Sequence, residues 1–145
     1  MLILWCVRAR ARRSNLEEAM HKSKLGGFII DCRTGDLGAA ADFWGRALGM
    51  PVRELPGAEG ELYQRLEDSQ HGLEIEVQKV EHPSRVHLDI EANDIEAEVR
   101  RLEALGATRI EAVKTWVVME APTGQRFCVV RASSKDFDER ASVWP

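Results

Sequence analysis

The chain is 145 residues long with 44% apolar and 30% charged residues, a length that suits one domain able to bury roughly 70% of the surface its unfolded form would expose. That composition excludes disordered, collagenous and membrane-spanning classes. The net charge of -4 and pI near 5.6 exclude a general nucleic-acid binder and favour a small-molecule partner.

Residues 1 to 24 stand apart, with six Lys and Arg against Glu17 and Glu18, net +4, whereas the remainder holds 14 basic and 22 acidic residues, net -8. They are expected to form a loosely ordered N-terminal extension, the alternative for RARARR being a contact with nucleic acid or anionic lipid. The apolar start, MLILWCV, is far shorter than the roughly 20 residues of a membrane helix. Arg8, Arg10, Arg12 and Arg13 follow that run, the reverse of the secretory order. Cys6, Cys32 and Cys128 form no Cys-x-x-Cys pair, so neither a disulfide framework nor a zinc knuckle is expected, and a reducing cytoplasm fits.

From Leu25 the hydrophobic period becomes regular. GGFIIDC predicts a strand, and Asp36 caps a helix with Leu37, Ala40, Trp44 and Ala47 or Leu48 on its apolar face, closed by Gly49. PVREL, ELYQRLED and GLEIEVQKV predict three strands, parted by PGAEG and by Ser69 to Gly72. RVHLDIEA is the next strand. Asn93 or Asp94 then caps a helix with Ile95, Val99, Leu102 and Leu105 on one face, ended by Gly106. TRIEAV, KTWVVMEA and GQRFCVVRA complete a second run of three strands, with Pro122 to Gly124 as the last turn.

The two halves are the same unit, βαβββ, over residues 25–80 and 84–132, leaving 133–145 as a C-terminal tail. Asp31 falls on Asp89 and Asp36 on Asp94 at an offset of 58, Gly49 on Gly106 at 57, and Gly72 on Gly124 at 52. The expected fold class is therefore α+β, two βαβββ modules with pseudo-two-fold symmetry. Each module has one sheet face covered by its helix, so the other faces pack together or enclose a central cavity.

The runs FIIDCRTGDLGAAADFWGRALGM, RVHLDIEANDIEAEVRRLEALGA and WVVMEAPTGQRFCVV resemble the glyoxalase-like branch of the vicinal oxygen chelate superfamily, over about residues 25 to 132. The resemblance implies one pocket between the modules and a homodimer. It also implies a divalent metal that chelates two adjacent substrate oxygens and takes its ligands from the first and last strand of each module. Under the repeat alignment those positions hold Ile29, Glu76, His87 and Cys128. Strand alternation sets Val86, Leu88 and Ile90 on one face and His87 and Asp89 on the other, and likewise parts Leu73, Ile75 and Val77 from Glu74, Glu76 and Gln78.

The quartet departs from the family pattern. Isoleucine cannot ligate, and Cys128 stands where metal-dependent members carry a carboxylate, so the full ligand set is missing. Zinc accepts His, Glu and Cys but normally needs three protein ligands. The metal expectation is thus zinc or another divalent ion on His87, Glu76 and Cys128, or no cofactor at all. His87 and Glu76 are the candidate catalytic pair, as ligands or as general acid and base. Ile29, Asp31, Glu74, Gln78, Asp89, Trp116 and Cys128 are the expected pocket lining. Glu76, His87 and Cys128 should converge on the cavity with Ile29 as an apolar wall. Two functions stay open: a lyase, isomerase or dioxygenase-like enzyme acting on a small oxygenated metabolite, or a non-catalytic protein that sequesters one, of the resistance-protein type. Neither a nucleic acid nor a membrane is an expected partner.

Overall fold

The computed structural model describes residues 20–68 and 70–145. The expectations for residues 1–19, with RARARR and Cys6, lie outside the described residues, as does Ser69 in the turn before Gly72.

In the first module β1 is His21–Arg33, α1 Leu37–Leu48, β2 Val52–Glu54, α2 Glu59–Leu62, β3 Tyr63–Leu66 and β4 Glu74–Val80. In the second β5 is Arg85–Ala92, α3 Ile95–Ala104, β6 Thr108–Val113, β7 Trp116–Glu120 and β8 Arg126–Arg131. The tail adds α4, Phe137–Arg140, and β9, Ser142–Trp144. Both long helices start where an aspartate can cap them. Asp36 accepts the Ala39 amide at 3.0 Å and Asp94 the Ala97 amide at 2.9 Å, each bond worth about 1 kcal/mol. Gly49 ends α1 at φ 68°, a left-handed conformation that glycine adopts without strain.

All the strands belong to one sheet, ordered β2-β3-β4-β1-β5-β8-β7-β6. Outward from the central antiparallel pair β1–β5, the two halves repeat the same order, with β1–β4 and β5–β8 parallel. The modules thus join edge to edge with the expected pseudosymmetry. Each has its own core: Ile30, Leu37, Ala41, Leu66, Ile75 and Val77 in the first, and Ala92, Val99, Leu102, Val117, Met119 and Val129 in the second.

Ile29, Asp31 and Glu76 lie on the opposite face, away from the helices, and are nonetheless buried. In sheet order β3 and β8 are four strand spacings apart, about 19 Å on a flat sheet. Yet Ile29, Asp31, Glu76 and Cys128 are all shielded from solvent on this face, with both helical cores on the other. The sheet therefore curls, and its polar face lines a groove. No helix among the described residues is long and apolar enough to cross a membrane.

Several local expectations are corrected. β1 begins at His21, so His21–Lys24 belong to the sheet rather than to the extension, and β9 pairs with their outer edge. Glu61 and Leu62, expected in a strand, lie in the short helix α2, where Gly60 passes so close that a Cβ would meet the Leu55 carbonyl oxygen at 1.9 Å. Leu48 and Leu105 are exposed because each sits at the very end of its helix, past the sheet. Val86 and Leu88 are 59% and 49% exposed. They lie on the helical face of the central pair, but α1 and α3 each cover only their own module.

Candidate functional site

Strand register sets three rows of side chains across the polar face. Tyr63, Gln78, Asp31 and Arg85 form one; Arg65, Glu76, Ile29 and His87 form the second; Glu74, Gly27, Asp89 and Cys128 form the third. Gly27 is required in its row, since a Cβ there would lie 1.7 Å from the Glu74 carbonyl oxygen and part β1 from β4.

His87 is the hub. Its Nδ1 donates to Asp31 Oδ2 at 2.8 Å, and its Nε2 lies 3.5 Å from Asp89 Oδ1. One donor atom each from His87, Asp89 and Cys128 lies within 4.8 Å of the others. Asp31 is also approached by Arg85 Nε at 3.5 Å and His82 Nε2 at 3.8 Å. Two buried oxygens, Asp31 Oδ1 and Asp89 Oδ1, have no hydrogen-bond partner. Burial alone would lower the His87 pKa, but the bond to Asp31 and the nearby Asp89 and Cys128 side chains outweigh it and push it up to about 11.

Glu76 lies outside this cluster, because Arg65 holds it. Arg65 Nη2 donates to Glu76 Oε1 at 3.1 Å and contacts Glu74 as well. Burial raises the Glu76 pKa and Arg65 opposes the shift. Ile29 is a buried wall between Glu76 and His87. Gln78 turns to Tyr63, donating from Nε2 to the phenolic oxygen at 2.7 Å. Trp116, at the start of β7, is half-buried below the Lys114 ammonium and outside the cluster.

The cluster differs from the expected triad of His87, Glu76 and Cys128 for a reason of register. Carrying the Ile29–Glu76 pairing across by the repeat offsets would set Cys128 beside His87. In the second module Cys128 pairs with Asp89, two residues along the same face of β5. Tyr63, Arg65 and Arg85 were not singled out in the sequence. The first two could have been, since they alternate with the core residue Leu66 and so share a face with Glu76 and Gln78.

The donor set suits a thiophilic divalent ion. It offers one imidazole, one carboxylate and one thiolate, a combination that zinc accepts and harder ions do not. A carboxylate on the far ring nitrogen is the usual support of a metal-binding histidine, and Asp31 provides it. The unpartnered Asp89 Oδ1 beside His87 Nε2 is a buried acceptor that a cation would satisfy.

Two cavities lie at the margins of the sheet, and neither is lined by Glu76, His87 or Cys128, which were expected to converge on one. One, of about 290 Å³, reaches Asp31 and Arg85 between β5 and Trp44. The other, of about 870 Å³, opens from Arg65 and Glu74 towards Ser133–Asp136 of the tail. The tail is fixed there by Glu91, which accepts from the amides and hydroxyls of Ser133 and Ser134.

Comparison with known proteins agrees with this architecture. A hypothetical protein from Bacillus halodurans C-125 superposes with a TM-score of 0.58 at 12% identity, over 78% of this chain and 96% of its own. Methylmalonyl-CoA epimerase from Mycobacterium tuberculosis gives 0.57 at 15% identity, over 77% and 89%. NAD-dependent benzaldehyde dehydrogenase from Legionella pneumophila gives 0.54 at 11%, over 73% and 99%. At such identities the similarity is one of fold. No curated protein shows a significant match. The family profile described as Glyoxalase-like domain matches residues 27–130, from the diglycine of β1 to the end of β8. With the paired modules and the polar groove between them, this chain belongs to the glyoxalase-like domain family of the vicinal oxygen chelate fold.

Proposed function

We propose that this protein binds a small oxygenated metabolite in the groove, at a zinc-type ion held by His87, Asp89 and Cys128. The observation that carries the reading is the convergence of those three donor atoms within 4.8 Å, with the second nitrogen of His87 already given to Asp31. A bound ion would supply positive charge to polarise a ligand oxygen. Asp31 fixes the ring, and Glu76 is the carboxylate in the same row as His87, with the buried Ile29 between them. Turnover would use Glu76 as the proton acceptor. Binding without turnover is the second reading, and the Arg65 clamp favours it, because a carboxylate shared with a guanidinium is a weak base.

Metal analysis of protein purified without chelators, followed by zinc calorimetry, tests the reading. One zinc per chain is expected, lost in His87→Ala and Asp89→Ala and kept in Glu76→Ala. A full zinc isotherm in His87→Ala would refute the site. The homodimer is part of the same proposal, supported by Leu25, Val86 and Leu88, which lie exposed along the central strand pair.

A further inference from the structure

Tyr63 is the only tyrosine of the chain. It opens β3 on the polar face, where Gln78 separates it from Asp31 in the same row. Gln78 Nε2 donates to the phenolic oxygen at 2.7 Å, which fixes the phenol and fills one of its acceptor positions. In none of the hydrogen bonds among the described residues does Tyr63 itself donate, so its proton is idle in a groove rich in carboxylates.

Several donors of the polar face already serve carboxylates. His87 Nδ1 serves Asp31, Arg65 Nη2 serves Glu74 and Glu76, and Arg126 Nε serves Glu120 at 2.9 Å. Arg65 Nε is also unpaired, but it is sealed from solvent. We propose that Tyr63 donates its hydroxyl proton to an oxygen of the ligand seated at the His87 cluster, with Gln78 as the positioning residue that aims the phenol. The ligand is thereby one that presents an acceptor oxygen, a carbonyl or a deprotonated hydroxyl, to the β3 wall as well as to the cluster. A ligand with only an ammonium or an apolar group on that side would leave the phenol unpaired.

This rests on the binding reading above, and the experiment separates the two. Full-length protein labelled with [ζ-¹³C]tyrosine gives a single resonance. It is titrated with acetohydroxamate, a small oxygen-donor probe, in zinc-loaded and in metal-free form, with calorimetry run alongside. The expected result is a resonance that moves with the same midpoint as the calorimetric isotherm. Tyr63→Phe should weaken the probe roughly tenfold, the value of one hydrogen bond, and leave the zinc isotherm unchanged. Probe binding with a stationary resonance, undiminished affinity in Tyr63→Phe, or no movement in either form would overturn the proposal. Movement in the metal-free form from a protein that takes no zinc would uphold Tyr63 and refute the metal.

Discussion

Replacing Glu98 by glutamine should destabilise this protein strongly although the residue lies outside the groove. Glu98 lies on α3 and is fully buried, accepting from His21 Nε2 at 2.7 Å, Ser23 Oγ at 2.9 Å, and Arg101 Nη2 and Nε at 2.7 and 2.9 Å. Ser23 in turn accepts from Trp144 Nε1 at 2.7 Å, and Arg101 lies 3.9 Å over the same indole. One carboxylate thus ties α3 to β1 and, through Ser23 and Arg101, to the C-terminal strand. Removing one partner of a buried ion pair costs about 3–5 kcal/mol, and the lower end applies because Arg101 is a quarter exposed and can rehydrate. For a chain of 145 residues, about 3 kcal/mol corresponds to a fall in Tm of roughly 10 °C. Burial works to raise the Glu98 pKa, but the bonds from Arg101, His21 and Ser23 outweigh it and hold it below the ordinary value. The stability it adds is therefore complete above the unfolded value of 4.5 and lost as the pH falls through the lower folded value. Urea titrations of wild type and Glu98→Gln at neutral pH and at acid pH read both effects. A neutral-pH difference below about 1 kcal/mol, the level of a surface pair, or a gap that fails to narrow in acid would refute this account.

Gly27→Ala should cost several kcal/mol in denaturant titrations, since its Cβ would overlap the Glu74 carbonyl and the pairing of β1 with β4 cannot absorb it. Ultraviolet titration of the single tyrosine should give a pKa of about 12, with burial the main cause and Glu76, Asp31, Cys128 and Asp89 adding to it; a value near 10 would place Tyr63 outside the groove. A chain begun at Met20 should melt with the full-length protein, because β1 and its partners start at His21, and a loss of several degrees would show that residues 1–19 contribute. Sedimentation should find a dimer that Leu88→Lys converts to monomer.

The fold was legible because its signals are local. Asp36 and Asp94 precede apolar faces of helical period, and both cap as expected. What the chain hid was longer in range. His21 and Ser23 looked like part of a basic extension because their partners, Glu98 and Trp144, lie 77 and 121 residues away. The charge pattern drew its boundary inside a strand.

The site was half legible for a related reason. Alternation assigns faces, and every residue it placed on the polar face of β4 and β5 lies there, because a period of two survives any even shift. Position along the strand is another matter. It depends on how the chain enters each parallel pair, whose partners Asp89 and Cys128 or Ile29 and Glu76 lie 39 or 47 positions apart in sequence. A two-residue difference between the modules keeps Cys128 on the right face yet sets it against Asp89. The donor that completes the cluster is therefore an aspartate expected as pocket lining rather than as a ligand, while the glutamate at the expected position is held by Arg65 from β3. Such a site depends on the register of β8 against β5, so displacing that register by two residues should abolish zinc binding even with His87, Asp89 and Cys128 all present. Deleting two residues between Gly106 and Arg126 does not test this, because the β7–β8 hairpin fixes its own pairing. Exchanging Cys128 with Arg126 does, since it moves the thiol one step along the same face to lie opposite His87. Zinc affinity retained in that exchange, in a protein that still folds by circular dichroism, would show that the face alone, and not the register, makes the site.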